Sequence, residues 1–341
     1  MPTEIVVNGH FKGRRFAGPD RYASELLQCL GSDIKVILPP AGLAGLRAQL
    51  WEQFQLPRLA PQDACLWSPA NTGPLAVTRQ VVTIHDLSIL EHPEWYEPSH
   101  RLWYRLLLPR LAQRVQSILT VSEYSKRSIV RRLGVPEAKV AVVPNGVDLR
   151  TFRQVDPHPV RAKYGLPERY ILFVGSLEPR KNIERLSQAW SRLTEFQDVQ
   201  LVLAGALVGS SAPSAITRHR LRSRYLGYVP DEDLPGLYAG AVCFIMPSML
   251  EGFGLTVLEA MACGAPVIAS QAGALPELVG NAALLVDPTS VEAMTEAIRR
   301  LLLEDDRRWY LRQKGLERAC RFTWEHAAEQ IRAVLSAGPE A

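Results

Sequence analysis

No stretch of this 341-residue chain looks able to cross a bilayer. Uncharged apolar segments such as "LAGALVG" and "YAGAVCFIMPSML" are shorter or more broken than the roughly 20 residues a spanning helix needs. The amino terminus, "MPTEIVVNGHF", carries an acidic residue and only three consecutive β-branched residues, so it reads as a first strand and not as a secretory signal. Cysteine is scarce: five residues, at 29, 65, 243, 263 and 320, never spaced C-x-x-C. That excludes a disulfide framework and suits buried free thiols in a reducing cytosol. There are seven histidines, and His85, His92 and His100 lack helical i, i+4 spacing and clustered carboxylates, so no zinc site is expected. Also missing are the G-x-x-x-x-G-K-[ST] loop and the G-x-S-x-G elbow, while "GFGLTV" lacks the third glycine of a dinucleotide fingerprint. The net charge of +4 is uneven, with 18 Lys/Arg against 13 Asp/Glu over residues 1–152 and 21 against 22 over the rest. An excess that small is too weak to imply a nucleic-acid partner.

What the chain does have is alternation. The runs "EIVVN", "IKVILP", "ACLWSP", "QVVTIHD", "SILTVS" and "VAVVPNG" punctuate the first half. "YILFVGS", "VQLVLAG", "YLGYV", "VCFIMPS", "PVIAS" and "ALLVD" punctuate the second. Most are continuously apolar, as parallel strands buried on both faces are, and amphipathic stretches follow many of them. The expected fold class is therefore α/β, with two doubly wound parallel-sheet domains. Domain limits of 1–155 and 156–322 are expected, with the proline- and charge-rich segment at about 150–168 as linker. Residues 323–341 should form a terminal helix, "FTWEHAAEQIRAVL", with Thr323 as N-cap and Phe322 placed to staple its start.

Open α/β sheets bind ligands at the carboxyl ends of their strands. One such end carries "MLEGFGLTVLEAMACGAPV", with Glu251 and Glu259 eight positions apart. Along a helix that is about 12 Å, too far for a glycosidase carboxylate pair. Gly252 and Gly254 leave backbone N–H groups open just before a helix whose apolar face is Leu255, Leu258, Met261 and Ala262, a favourable setting for an anion. The plain alternative is a capping carboxylate followed by a solvated glutamate. Another strand end, "FVGSLEPRKN", places Arg180 and Lys181 after Gly175, which together would make a pyrophosphate clamp. "VVTIHDLS" puts His85 at the end of an N-half strand, and "RFAGPDRYASELL" sets a Gly18–Pro19 turn before a helix.

Taken together, these residues resemble glycosyltransferase family 4, retaining enzymes of the GT-B fold, across essentially the whole chain. The resemblance rests on "TIHDLS", "LTVSEYSK", "VVPNGVD", "FVGSLEPRKN", "YLGYVPDEDLPGLYAGA", "PSMLEGFGLTVLEAMACGAPVIAS" and the "FTW" helix. "WSPANTGPL" and "IHDLSILEHPEWY" look like the bacterial mannosyltransferase- and rhamnosyltransferase-like branch. It implies two Rossmann-like domains facing across a cleft, acceptor side first and donor side second, with the terminal helix returning to the first. It further implies that Glu259 grips the donor ribose and Glu251 the donor sugar. Amides of Gly252, Phe253, Gly254 and Leu255 would meet sugar and phosphate oxygens. Gly18 and Gly175 would also line the donor, and Tyr228 and Val229 would meet the base. Arg180 and Lys181 would neutralise the leaving diphosphate without a metal, and His85 would contact the transferred sugar. "FAGPDRY" departs from the family at Pro19–Asp20, where a second small residue is usual.

The implied reaction moves a hexose, mannose- or rhamnose-like, from a GDP-, UDP- or dTDP-sugar to a saccharide or lipid-linked acceptor in glycoconjugate synthesis, with no cofactor. A phosphorylase of the same fold would need a pyridoxal-phosphate lysine and a much longer chain. A non-catalytic nucleotide-sugar sensor is the remaining rival, against which the intact set of His85, Arg180, Lys181, Glu251 and Glu259 argues. The expected location is cytoplasmic. The helix-like "HRLWYRLLLPRLAQRVQ" either rests on anionic lipid at the inner face of the membrane or packs with its arginines snorkelling.

Overall fold

The computed structural model describes residues 4–11, 18–31, 34–207 and 222–337. Two compact units are present. The first runs to Gly146 and takes back the residues from Trp324 on, and the second is Val147–Thr323.

The first unit is built on a six-stranded parallel sheet of β1 (Ile5–Asn8), β2 (Lys35–Ile37), β3 (Cys65–Ser68), β4 (Gln80–Thr83), β5 (Ser117–Thr120) and β6 (Val140–Val142). Their order is β2-β1-β3-β4-β5-β6. The central β3 and β4 are buried along their whole length, whereas the edge strand β2 is not. This is why the inner runs read as unbroken apolar sequence. Helix Glu123–Leu133 follows β5 and is capped at both ends. Ser122 Oγ accepts from Ser125 N at 3.1 Å, and Gly134 closes it in the left-handed conformation (φ +64°). The last helix, Trp324–Ser336, packs on helix Gly18–Leu30. The rings of Trp324 and Tyr22 meet edge-on at 6.3 Å, and Arg332 donates to the carbonyl of Leu30.

The second unit repeats the architecture with β7 (Arg169–Val174), β8 (Val199–Ala204), β9 (Ser223–Gly227), β10 (Cys243–Met246), β11 (Val267–Ser270) and β12 (Ala283–Val286). All pair in parallel, in the order β12-β11-β10-β7-β8-β9. Counting from β7, that is the 3-2-1-4-5-6 order of the dinucleotide-binding fold, and the strand order reverses between β7 and β10. The open crevice of this unit therefore lies at the carboxyl ends of those two strands.

Two expectations need correcting. The proline-rich stretch at about 150–168 carries a helix, His158–Tyr164, whose Arg161 donates to the carbonyl of Gly240 at 3.1 Å. Its prolines sit at the helix start, where a missing N–H costs nothing. The five cysteines form no disulfide, but only Cys65, Cys243 and Cys263 are buried, and Cys29 and Cys320 are exposed. Among the described residues no helix is long and apolar enough to cross a membrane.

Candidate active site

The loops leaving β7 and β10 bring three predicted residues into direct contact. After β7 and Gly175, a single 3₁₀ turn, Pro179–Lys181, presents Arg180 and Lys181. Asn182 ends the turn in the left-handed region (φ +61°) and donates through Nδ2 to the carbonyls of Pro247 (3.0 Å) and Pro288 (2.7 Å). That side chain ties the β7 loop to the β10 loop. Past β10, Glu251 turns back toward the cations. Its Oε1 accepts from Lys181 Nζ (2.6 Å) and Ser248 Oγ (2.6 Å), and its Oε2 accepts from Arg180 Nη1 (3.1 Å). Arg180 also donates to the Leu250 carbonyl (3.0 Å) and to Glu178 Oε1 (2.8 Å).

Glu251 and Lys181 are nearly closed to solvent, 7% and 8% exposed, while Arg180 and Glu178 are half-buried. Burial alone would raise the Glu251 carboxyl. The charges of Lys181 and Arg180, with hydrogen bonds from Lys181 and Ser248, overcome it and hold the group at about 2. Burial pulls Lys181 below its ordinary value against the opposing attraction of Glu251. The ion pair is the direction that decides the state, because a carboxylate this acidic beside an ammonium keeps both groups charged at neutral pH. The sequence suggested a free cation pair facing a helix end. In the structure both cations are already engaged with Glu251, and this coupling was not foreseen.

Two glycines make the Glu251 turn feasible. Gly254 (φ +105°) precedes helix Leu255–Ala262, and a Cβ there would stand 2.6 Å from Leu275. Gly273 (φ +61°) lies so close that a Cβ would be 2.2 Å from the Glu251 carbonyl oxygen. Between Glu251 and Gly254, Gly252 and Phe253 are buried, and Phe253 meets Phe322 edge-on at 6.0 Å. The first N–H groups of a helix lack intrahelical partners, so Gly254 and Leu255 open an anion-friendly end.

Glu259, on the same helix, is 2% exposed, and its Oε2 accepts from the hydroxyl of the buried Tyr238 at 3.0 Å. Tyr238 and Ser248 hold the two glutamates, and the sequence alone assigns neither a role, although Ser248 falls at a strand end. Their only local signal was their place beside "LYAGA" and at the end of "VCFIMPS". Tyr228 and Val229 follow β9, the first half exposed and the second buried.

The remaining two candidates belong to the first unit. Gly18 opens helix Gly18–Leu30, with open space where a Cβ would go, and the residues before it, 12–17, lie outside the described ones. His85 follows β4, is 9% exposed, and its Nε2 pairs with the Pro69 carbonyl at 2.8 Å. Its backbone N–H donates to Asn71 Oδ1 (2.7 Å), and the Tyr22 ring stands edge-on at 4.7 Å. Burial lowers the imidazole's pKa, against the raising effects of Pro69 and Asp86, so His85 is neutral at pH 7 and donates from Nε2.

Comparison with known proteins bears on both units. Residues 159–318 match the family Glycosyl transferases group 1, and residues 21–151 match Glycosyltransferase Family 4. The O-antigen chain mannosyltransferase B of Escherichia coli is 38% identical over 267 residues, 75% of this chain and 70% of that protein. The MMP alpha-(1->4)-mannosyltransferase of Mycolicibacterium hassiacum is 34% identical over 288 residues, 77% and 67% respectively. Among solved structures, Anabaena HepE in complex with UDP-glucose superposes with a TM-score of 0.78 at 20% identity, covering 98% of this chain and 100% of that one. The lipopolysaccharide glycosyltransferase WaaG gives 0.77 at 15% identity, over 98% and 100%.

Proposed function

Because this chain belongs to glycosyltransferase family 4, in the mannosyltransferase-like branch with the GT-B fold, we propose that it transfers a hexose, mannose or a close relative, from a nucleoside-diphosphate sugar with retention of anomeric configuration. The acceptor is a saccharide or lipid-linked saccharide. The observation that carries this reading is the contact of Lys181 and Arg180 with Glu251 at the strand-order reversal of the second unit.

Glycosyl transfer from such a donor needs its leaving diphosphate stabilised more than it needs a strong acid. Two preorganised cations in a nearly dry site do that well. Arg180 and Lys181 take the diphosphate, helped by the amides of Gly252, Phe253, Gly254 and Leu255, and Gly175 leaves the approach open. Glu251 accepts sugar hydroxyls, Glu259 accepts the ribose hydroxyls, and Tyr228 and Val229 lie against the base. His85 and Gly18 serve from the first unit, His85 contacting the transferred sugar with its neutral imidazole. With the diphosphate charge met by side chains, no metal is required.

A screen of GDP-mannose, UDP-glucose and dTDP-rhamnose in the presence of EDTA tests the reading, with nucleotide release and transfer both measured. One donor should turn over with EDTA present, and its product should keep the donor's anomeric configuration by NMR. Lys181→Met should cut that turnover by about 100-fold, the scale of losing one preorganised charge contact. Strict dependence on a divalent ion, inversion, or binding without turnover would each count against it, the last favouring a nucleotide-sugar sensor.

Location at the inner face of the membrane is part of the same reading. Helix Pro98–Arg114 exposes Leu102 (60%) and Leu106 (48%) beside the exposed Arg101 and Arg105, a composition that suits a peripheral contact with anionic lipid. Co-flotation with vesicles containing phosphatidylglycerol, and not with neutral vesicles, is expected. Absence from both floated fractions would sink it.

A further inference from the structure

The sheet of the first unit has its own strand-order reversal, between β1 and β3, and a buried carboxylate stands at that point. Helix Gly45–Phe54 turns Glu52 inward until none of it is exposed. Its Oε1 is crowded: Asn8 Nδ2 donates at 2.7 Å, Thr72 Oγ1 donates at 2.9 Å, and His10 Nδ1 lies at 3.1 Å. Its Oε2 is buried and has no hydrogen-bond partner among the described residues. Asn8 ends β1, His10 follows it, and Thr72 lies on the loop after β3.

A narrow cleft lies against these groups, lined by Asn8, His10, Phe11, Glu52, Pro69 and Thr72, with no room for a water-sized sphere as it stands. Pro69 is the residue whose carbonyl pairs with His85, and Asn71, between Pro69 and Thr72, adopts a positive φ of 63°. Left-handed non-glycine residues cluster at functional sites, where surrounding contacts hold them.

A glutamine would offer its carbonyl oxygen to the same donors. The carboxyl group has a second oxygen as well, and leaving that oxygen bare in a dry interior is costly. Such a group is most useful where a ligand completes it. The ligand must bring a hydrogen-bonding group to that oxygen. It must also bring enough binding energy to part the Phe11 and His10 side of the pocket.

We propose that Glu52 Oε2 receives a hydroxyl of the acceptor sugar, while Oε1 fixes His10 and Thr72 beside it. The assignment rests on the glycosyltransferase reading above and adds to it a specificity-determining residue on the acceptor side. The test measures transfer and donor hydrolysis together, using the nucleotide sugar turned over in the screen above. Methyl α-D-mannopyranoside and its monodeoxy analogues are the acceptor probes.

In the unsubstituted protein one deoxy analogue should lose at least about tenfold in kcat/KM, the value of a buried hydrogen bond. In Glu52→Gln the transfer-to-hydrolysis ratio should fall about tenfold, and that analogue's penalty should largely vanish. An unchanged ratio in Glu52→Gln, equal use of all analogues, or hydrolysis with no transfer to any mannoside overturns the assignment. Should Glu52→Gln lose hydrolysis as well as transfer, Thr72→Val decides, since it keeps the volume and removes one donor to Oε1. A ratio unchanged there overturns the proposal too. Failure of the unsubstituted chain to turn over any donor is a different result, which sinks the transferase reading and this subsite with it.

Discussion

Replacing Glu251 with glutamine should destabilise the protein at pH 7 by about 3 kcal/mol, and the deficit should disappear in acid. The size follows from the site. The carboxyl is held at about 2 in the folded protein against an ordinary value of 4.5. Each unit of that difference is worth about 1.4 kcal/mol of preference for the ionised form. An amide imitates the protonated carboxyl, so the substitution forfeits that preference. It also leaves Lys181 buried without its counter-charge, which is why Glu251→Ala should be worse still. The sign is that of a depressed carboxyl: its stabilisation is fully present above pH 4.5 and is lost as pH falls toward 2. Urea titrations of both proteins at pH 7, 5, 4 and 3 would therefore show the gap between them narrowing only in the last two. A gap below about 1 kcal/mol at pH 7, or one constant down to pH 3, would refute the reading of Glu251 as an anion held by two cations.

Three further outcomes are expected. Tyr238→Phe removes the hydroxyl that donates to Glu259, so the donor KM should rise several-fold with kcat little changed, and stability should fall by about 1 kcal/mol in a thermal scan. Gly273→Ala places a Cβ against the Glu251 carbonyl oxygen at a positive φ, so it should cost more than about 2 kcal/mol and most of the turnover; retained melting temperature and rate would contradict the turn geometry. His85 is neutral because burial lowers its pKa, so the stability it contributes is complete above about 6.5 and declines below that as the imidazole is forced to charge. The pH–rate profile should accordingly show no inflection from His85 between about 6.5 and 8, and one that His85→Asn abolishes would count against a neutral imidazole.

Much of the fold was legible because buried parallel strands write themselves as short apolar runs. Each of the twelve runs overlaps one of the twelve strands among the described residues, and His85, Gly175, Tyr228 and Val229 fall just beyond strand ends. The order of the strands was not legible, since a crossover can return a strand to either side of its predecessor without changing the local pattern. The reversal between β7 and β10, which places the Arg180 and Glu251 loops side by side, emerges only in three dimensions. The partnership of Glu251 with Lys181 spans 70 positions, and spacing rules that work over a helical turn say nothing about it. Glu52 was hidden for a similar reason. A single acidic residue in a short helix reads as a solvated face until Asn8, His10 and Thr72 are found around it. The helix at His158–Tyr164 was missed because prolines were weighed as breakers and not as helix starters.

The chemistry open to the two glutamates is narrower than their spacing suggested. A carboxyl held at about 2 cannot lend a proton near neutrality, so Glu251 is no general acid. It can only accept hydrogen bonds, and the two cations that ionise it are those a diphosphate would engage. In the proposed reaction an entering donor asks for an exchange: phosphate oxygens would draw on Arg180 and Lys181, and Glu251, still held by Ser248, would turn its freed lone pairs to the sugar's hydroxyls. The partners are already in place before the donor arrives, which limits the reorganisation that charge development would otherwise demand. Glu259 accepts from Tyr238 and is positioned likewise as an acceptor. A carboxylate held at about 2 is also too weak a base to take the proton of the incoming acceptor hydroxyl, which has to go to another group. In the proposed reaction the natural recipient is the departing phosphate oxygen, whose basicity rises as the anomeric bond breaks.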